Sequence, residues 1–131
     1  MPSMKILLIA GGWSSEREVS LTGARDMQEA LLKRGHAVTF FDLLENFDEL
    51  LETARQHDFA LINLHGSPGE DGLVQAMLEK ADCPYQGSGP SGSFLALNKA
   101  AAKQIFRMAG LPTADWEFLP VRPAEGWEPR L

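Results

Sequence analysis

The stretch "KILLIAGGWSSEREVS", residues 5–20, decides the fold. Residues 5–10 form an almost unbroken apolar run, which is typical of a strand covered on both faces in a parallel sheet. Two glycines follow, and a polar segment then leads into a helix-like stretch. The order of strand, glycine turn and helix predicts that this strand lies at the centre of an α/β domain.

The same alternation continues along the chain. Apolar residues at three- and four-residue spacing predict a first helix that ends at Gly35. Strands are predicted at residues 37–42 and 59–66, with one helix at residues 47–54 between them and a third helix after them. A short strand near residues 83–87 and two further helices complete the pattern. This rhythm predicts a three-layer α/β fold, with a parallel sheet, right-handed crossovers and helices on both faces.

The domain is predicted to span residues 1–119, followed by a linker or tail at residues 120–131. A chain of 131 residues with 44% apolar composition suffices for one core and leaves no room for a second domain. The segment "ADWEFLP" could form one more strand, whereas residues 121–131 are rich in proline and glycine and show no period. Because the chain ends in such a segment, the protein looks unfinished.

Composition excludes several classes of partner. Eighteen acidic against twelve basic residues give a net charge of −6, so the basic surface that binds nucleic acid or anionic lipid is missing. The apolar run near the N-terminus is far shorter than the roughly 18 residues that span a bilayer, and no cleavage site follows it. The single cysteine, Cys83, suits a reducing compartment and is interpreted as a small buried residue. We therefore expect a cytoplasmic protein.

Three loops rich in glycine and serine follow the predicted strands. They are "GGWSSERE" (11–18), "HGSPGEDG" (65–72) and "QGSGPSGS" (86–93). The carboxyl ends of parallel strands meet at one edge of the sheet, where loops converge and helix N-termini point their free N–H groups. Glycine lets the backbone approach a ligand closely. The sequence therefore predicts a ligand site at this edge.

The known nucleotide-binding patterns are missing from these loops. Neither G-x-G-x-x-G nor G-x-x-x-x-G-K-[ST] occurs. Asp42 ends the second strand, where a ribose-binding acid can sit, but without the glycine pattern we interpret its position as coincidence. Histidine and cysteine are not found at metal-ligand spacing, so no metal site is predicted. A nucleotide held by this domain alone is not expected.

Glu16 and His65 are the candidate functional residues. Ser15 and Glu18 fit the capping box S-x-x-E, which gives the residues around Glu16 a structural reading. Glu16 itself is not needed for that cap and should face the crevice, where a carboxylate at a helix N-terminus can receive an ammonium group. His65 ends the third strand and is either a donor to a carboxylate or phosphate, or a structural residue. Spacing alone leaves both alternatives open for each residue.

Four further titratable residues are assigned structural positions. Glu70 and Asp71 open the third helix and are interpreted as caps. His36 and His57 lie at helix termini and are expected at the surface.

Five motifs, taken together, resemble the N-terminal domain of D-alanine:D-alanine ligases. They are "GGWSSEREVSLTG", "LHGSPGEDGLVQAMLE", "PYQGSGPSGS", "NKAAAK" and "AGLPTADW", in that family's order and spacing over residues 4–119. The resemblance implies a Rossmann-like, pre-ATP-grasp domain. In such ligases two ATP-grasp domains follow, and this chain resembles only the first domain.

The resemblance also implies an activity and a set of site residues. Such ligases use ATP and magnesium (or manganese) to join two D-alanines for peptidoglycan synthesis. ATP phosphorylates the first D-alanine carboxylate, and the amine of the second attacks the acyl phosphate. The implied catalytic residues are Glu16, which binds the ammonium of the first D-alanine, and His65, which lies near the reacting carboxylate and the second substrate. Val19 is implied to shape the substrate pocket, and Lys99 to reach the nucleotide phosphates.

Three positions depart from the family pattern. Asn98 stands where aspartate usually precedes the lysine, Ala76 stands where glycine usually follows the glutamine, and Trp13 is bulky at a position often small or polar. These departures place fine substrate preference, rather than the reaction, in question.

The resemblance leads to expectations about the missing half and the partners. In the family, the residues that hold magnesium, enclose adenine and grip the second carboxylate belong to the ATP-grasp domains. We therefore expect no bound cofactor and no ligase turnover from these 131 residues alone, and a homodimer through this domain. The alternatives are a stand-alone Rossmann-like binding or dimerisation module, and a related ligase that makes D-alanyl-D-lactate or D-alanyl-D-serine.

Overall fold

The computed structural model describes residues 2–119, 121, 125–126 and 128. The chain divides into two compact units, residues 1–94 and 95–131. The strands are β1 (Lys5–Ala10), β2 (Ala37–Asp42) and β3 (Phe59–Asn63), and the helices are α1 (Arg17–Lys33), α2 (Leu43–Asn46), α3 (Leu50–Ala54), α4 (Leu73–Lys80), α5 (Pro90–Leu97) and α6 (Lys99–Met108). No helix among residues 2–119 has both the length and the apolar character that a bilayer span requires.

The three strands form a parallel sheet in the order β2-β1-β3. The central strand is β1, as its apolar run predicts, and Ile6 to Ala10 are all buried. Ala10 pairs with Asp42 on one side and with Asn63 on the other, so the three strands end level with each other. This register brings the loops that follow β1 and β3 to the same edge of the sheet.

The core lies on both faces of the sheet, which confirms the predicted α/β fold with flanking helices. Residues of α3 and α4 pack on one face against Leu7 and Ile9, and α1 packs on the other face against Leu8 and Ala10. Leu7, Leu8 and Ile9 have no exposed surface. Burying one such side chain stabilises the fold by about 2 kcal/mol, so alternate residues of β1 anchor the two helical layers.

The helix predicted at residues 47–54 is wrong in its bounds. Helical structure begins earlier, at Leu43, because Asp42 caps α2 by accepting a hydrogen bond from Leu44 N at 3.1 Å. At Asn46 the backbone leaves the helical region (φ −126°, ψ 24°), and a single 3₁₀ turn at Phe47–Glu49 precedes α3. The apolar residues of this segment therefore keep their spacing, although a 3₁₀ turn interrupts the α-helix.

The sheet edge beside β3 differs from prediction in two ways. β3 ends at Asn63 rather than at residue 66, and the strand expected near residues 83–87 is reduced to one parallel bridge between Ala60 and Tyr85. The side chain of Gln86 continues the pairing, because its Oε1 accepts from Ile62 N at 2.9 Å and its Nε2 donates to Ile62 O at 2.6 Å. A side chain here replaces part of a strand.

The second unit contains α6 and the segment that follows it. Asn98 caps α6 by accepting a hydrogen bond from Ala101 N at 3.2 Å. After the helix ends at Met108, the φ of +70° at Gly110 lets Leu111 N donate to Phe106 O at 2.8 Å. The further strand considered for "ADWEFLP" is not formed through residue 119, and most of the predicted tail lies outside the described residues.

Candidate functional site

Three loops lie at the carboxyl edge of the sheet: the first loop (residues 11–16), the second loop (residues 64–72) and the third loop (residues 86–89). A Cβ built on Gly66 would lie 3.4 Å from Ser14 Cβ, so the first and second loops are in contact. A Cβ built on Gly72 would lie only 2.4 Å from Pro90 O, so the second loop also lies against the start of α5, where the third loop ends. The glycines allow these two close approaches.

Glu16 occupies the N-cap position of α1, and its side chain is exposed. Its backbone is held from both sides, because Glu16 N donates to Ser14 Oγ at 3.2 Å and Glu16 O accepts from Ser20 N at 3.1 Å. Its carboxylate makes no hydrogen bond with residues 2–119. An anionic group at a helix N-terminus is therefore available to a cationic ligand.

The capping box predicted from Ser15 and Glu18 is wrong. The box requires serine at the N-cap position and glutamate three residues later. Because α1 starts at Arg17, its N-cap is Glu16, and both predicted partners are one position out of register. Ser15 is exposed, and α1 has no side-chain cap.

A buried hydrogen-bond network that the sequence analysis missed links the first loop to β3. Ser20 Oγ accepts from Gly11 N at 2.8 Å and donates to Asn63 O, while Asn63 Nδ2 donates to Ser20 O at 2.7 Å. Ser20 has no exposed surface, so each polar atom needs a partner inside the protein. The network fixes α1 across the ends of β1 and β3. A serine inside the apolar stripe of a helix was the available signal.

Arg17 and Asp42 form a two-fold hydrogen-bonded ion pair beside the first loop. Arg17 Nη1 lies 2.8 Å from Asp42 Oδ1 and Nη2 lies 2.6 Å from Oδ2, and the two side chains are 24% and 15% exposed. The hydrogen bonds from Arg17 are the main reason that the pKa of Asp42 lies below its ordinary value, and the bond from Leu44 N acts in the same direction. The carboxylate of Asp42 is thus engaged within the domain.

We expect Asp42→Asn to lower the urea midpoint of unfolding near neutral pH, because it removes a carboxylate that is more acidic in the folded chain. A depressed pKa stabilises the fold above the unfolded-state value of about 3.9, and this stabilisation is lost as the pH falls through the lower folded-state value. The difference between variant and wild type should therefore shrink below about pH 4. A difference that stays constant with pH would show that shape, not charge, is responsible.

The second loop is shaped by its own carboxylates, but neither Glu70 nor Asp71 is the N-cap of α4, which corrects the predicted caps: the N-cap is Gly72, Glu70 bonds a loop amide and Asp71 bonds the amide of the first helical residue. Glu70 Oε2 accepts from Gly66 N at 2.8 Å, and Asp71 Oδ1 accepts from Leu73 N at 3.0 Å. His65, in the same loop, is half-buried, and its ring makes no hydrogen bond with residues 2–119. Since Glu70 and Asp71 are used by the backbone, the imidazole is the polar group of this loop that remains available.

The other two histidines are not simple surface residues, which corrects the sequence-based expectation. His36 Nδ1 accepts from Met4 N at 3.3 Å, and the His57 ring bonds both Thr53 O at 2.7 Å and Thr39 Oγ1 at 2.8 Å. Both are half-buried. His36 links the segment after α1 to the residue before β1, and His57 links the segment after α3 to β2. Both contacts are structural.

The comparisons with known proteins agree in pointing to one family, although no protein-family model matches the chain. A D-alanine:D-alanine ligase of Desulfovibrio desulfuricans is 76% identical over 128 residues, which are 98% of this chain and 42% of that protein. The corresponding ligase of Nitratidesulfovibrio vulgaris is 68% identical over the same shares. The chain corresponds to the N-terminal portion of D-alanine:D-alanine ligases.

Solved structures of this ligase family share the fold. The ligase of Bacillus anthracis complexed with ATP superposes with a TM-score of 0.81 at 37% identity, covering 95% of this chain and 43% of that one. The chain spans about two fifths of the length of the relatives it matches, and the matching part is their N-terminal portion. The comparison therefore concerns one portion of the ligase.

The remaining ligase positions singled out in the sequence fall in both units. Val19, the third residue of α1, is 64% exposed, and Lys99 is exposed at the first residue of α6 in the second unit. Cys83 is buried, as predicted, and burial raises the pKa of its thiol. Glu16, Val19 and His65 thus belong to the first unit, and Lys99 to the second.

The three departures from the ligase pattern have different structural settings. Asn98 is the N-cap of α6, a role in which asparagine and aspartate are equivalent. Trp13 packs edge-to-face on Phe47 with ring centroids 5.4 Å apart. Ala76 is exposed on α4.

Proposed function

We propose that residues 1–119 are the part of a D-alanine:D-alanine ligase that binds the first D-alanine, within an ATP-dependent enzyme that forms the dipeptide through an acyl phosphate. The observation that carries the proposal is the uncommitted Glu16 carboxylate at the end of the first loop, which contacts the second loop through Ser14 and Gly66, in a chain 76% identical to a curated ligase. Glu16 binds the substrate ammonium by charge-assisted hydrogen bonds. Val19, exposed three residues further along the chain, forms part of the pocket wall.

His65 acts at the reacting end of the substrate in this proposal. Its ring has no partner among residues 2–119 and follows the buried Leu64, which fixes the backbone at the end of the strand. A hydrogen bond from the imidazole to the carbonyl oxygen of the acyl phosphate offsets the negative charge that develops on that oxygen when the second amine attacks, before phosphate leaves. His65 therefore serves turnover more than binding.

Lys99 is proposed to contact the phosphates of ATP. It is an exposed cation at the start of a ten-residue helix, where free backbone N–H groups also favour an anion. Bound ATP supplies the phosphoryl group that activates the first carboxylate. Magnesium is not assigned to these residues, because residues 2–119 contain no group of three His, Cys, Asp or Glu side chains that could hold a metal ion. The described residues do not fit a metal site, and we assign them no step that involves one.

The proposal extends to the setting of the enzyme. It places the protein in the cytoplasm, its dipeptide product in peptidoglycan synthesis, and its ATP-grasp domains elsewhere in the same gene product. It also includes a homodimer through this domain, which light scattering on the gene product tests.

The proposal is tested by assaying the full gene product for ADP release with D-alanine, with L-alanine as the control. We expect ADP and D-alanyl-D-alanine in equal amounts with D-alanine and neither with L-alanine. D-alanine binding without ADP release would instead indicate a non-catalytic binding module. Mixed-substrate products with D-lactate or D-serine would identify a related ligase.

His65→Ala should lower kcat of the gene product by about 100-fold, the range found when one donor to a developing charge is removed, while KM for D-alanine changes little. His65→Gln, which keeps a donor, should recover part of the rate. Steady-state kinetics beside urea unfolding separate the alternatives. A chain that unfolds when His65 is replaced would assign the residue a structural role.

A further inference from the structure

The ion pair of Arg17 and Asp42 joins three pieces of the site. Arg17 is the first residue of α1 and directly follows Glu16, whereas Asp42 ends β2. Besides the two bonds to Asp42, Arg17 Nη1 donates to Gly12 O at 3.3 Å in the first loop. One guanidinium therefore connects the start of α1, the end of β2 and the turn after β1.

Asp42 is itself held rigidly, so it can serve as an anchor. Its backbone is paired in the sheet opposite Ala10. Its Oδ1 also accepts from Leu44 N at 3.1 Å, and its carbonyl accepts from Asn46 Nδ2 at 3.0 Å. A planar guanidinium bonded by two atoms to a fixed carboxylate has a defined orientation. The guanidinium of Arg17 is thereby held by a residue of the sheet, although its own side chain is flexible.

Gly11 shows that the ion pair and the turn fit each other closely. Gly11 has a φ of +80°, and a Cβ at this position would lie 2.4 Å from Arg17 Nη1 and 2.7 Å from Asp42 Oδ1. Any side chain would push the pair apart. The first glycine of the motif therefore provides the space in which the ion pair closes over the turn.

We propose that Arg17 and Asp42 form a positioning pair that holds the first turn of α1, and with it the Glu16 carboxylate, in the orientation that receives the substrate ammonium. This inference rests on the proposed function of Glu16. It assigns Arg17 no contact with substrate, because both of its terminal nitrogens are used within the protein. The pair acts on the first D-alanine and not on ATP.

The test compares Arg17→Lys and Asp42→Asn in the full gene product. Lysine keeps the charge but lacks the two-point fork, and asparagine keeps the shape but lacks the charge. Each variant should raise KM for D-alanine by about tenfold, the effect of a small misplacement of a binding group, while KM for ATP stays within about twofold of wild type. Arg55→Lys, in the exposed Arg55–Glu52 pair of α3, is the matched control and should change neither value.

The double variant with Glu16→Gln distinguishes positioning from a general loss of structure. If Arg17 acts through Glu16, adding Arg17→Lys to Glu16→Gln should raise KM for D-alanine no further, whereas independent effects would multiply. Multiplying effects, equal changes in both KM values, or unfolding of both single variants would overturn the proposal. If Glu16→Gln alone leaves KM unchanged, the proposed function of Glu16 and this inference both fail. If Glu16→Gln acts and Arg17→Lys does not, only this inference fails.

Discussion

Replacing Glu16 by glutamine should raise KM of the gene product for D-alanine by about 10- to 100-fold, with little change in KM for ATP. The substitution keeps the size of the side chain and removes the charge, and a hydrogen bond to a charged group contributes about 1.5–3 kcal/mol. Glu16 is exposed and uncommitted within residues 2–119, so the fold should lose almost no stability. Steady-state kinetics with each substrate varied in turn measure both constants.

Glu18→Gln is the matched control for this prediction. Glu18 lies two residues further on, in the first turn of the same helix, and is also exposed. It should leave both KM values unchanged, because it has the same influence on the helix dipole without the position at the N-cap. Equal effects of the two substitutions would assign the result to the charge of the helix N-terminus and would contradict a specific role for Glu16.

Gly72→Ala should reduce the free energy of unfolding of the chain by about 3 kcal/mol. Gly72 has a φ of +92°, which costs an L-residue energy, and the new Cβ would lie 2.4 Å from the backbone oxygen of Pro90. The backbone cannot give way as a flexible side chain could, so the second loop and the start of α5 would have to separate. Urea unfolding of the 131-residue chain measures the loss.

Gly35→Ala isolates the contact from the backbone strain. Gly35 has a similar φ of +84°, but a Cβ at this position would meet no atom within 4 Å. Its substitution should cost about 1 kcal/mol, the conformational part alone. If both variants lose the same stability, the approach of the second loop to Pro90 contributes nothing, and the close contact among the loops is not a determinant of the site.

The fold was predictable wherever burial alone determines local structure. The run at residues 5–10 identified the central strand, because a strand covered on both faces must be apolar throughout. Predictions were wrong where a polar side chain overrides the apolar period. Asp42 starts a helix at Leu43 rather than at residue 47, and the Gln86 side chain replaces part of an expected strand. Spacing rules do not contain such individual hydrogen bonds.

The contact between the first and second loops was predictable, but the side-chain contacts around them were not. Parallel strands of equal register bring their loops to one edge, so the approach of the loops that carry Glu16 and His65 followed from topology. The pairing of Arg17 with Asp42 connects residues 25 positions apart and depends on the register of β2. Ser15 and Glu18 matched a local motif that α1 does not use, because the helix starts one residue later. The roles of Glu16, Val19, His65 and Lys99 stay predictions.

The pairing by Gln86 also bears on how this domain can associate with other chains. An unpaired outer strand offers a row of N–H and C=O groups to which a foreign strand can add. On β3 those groups are already taken, since Ala60 N donates to Pro84 O at 2.8 Å and both backbone groups of Ile62 are bonded to the Gln86 amide. Addition of a further strand at this border would have to displace the Gln86 amide and the bond to Pro84.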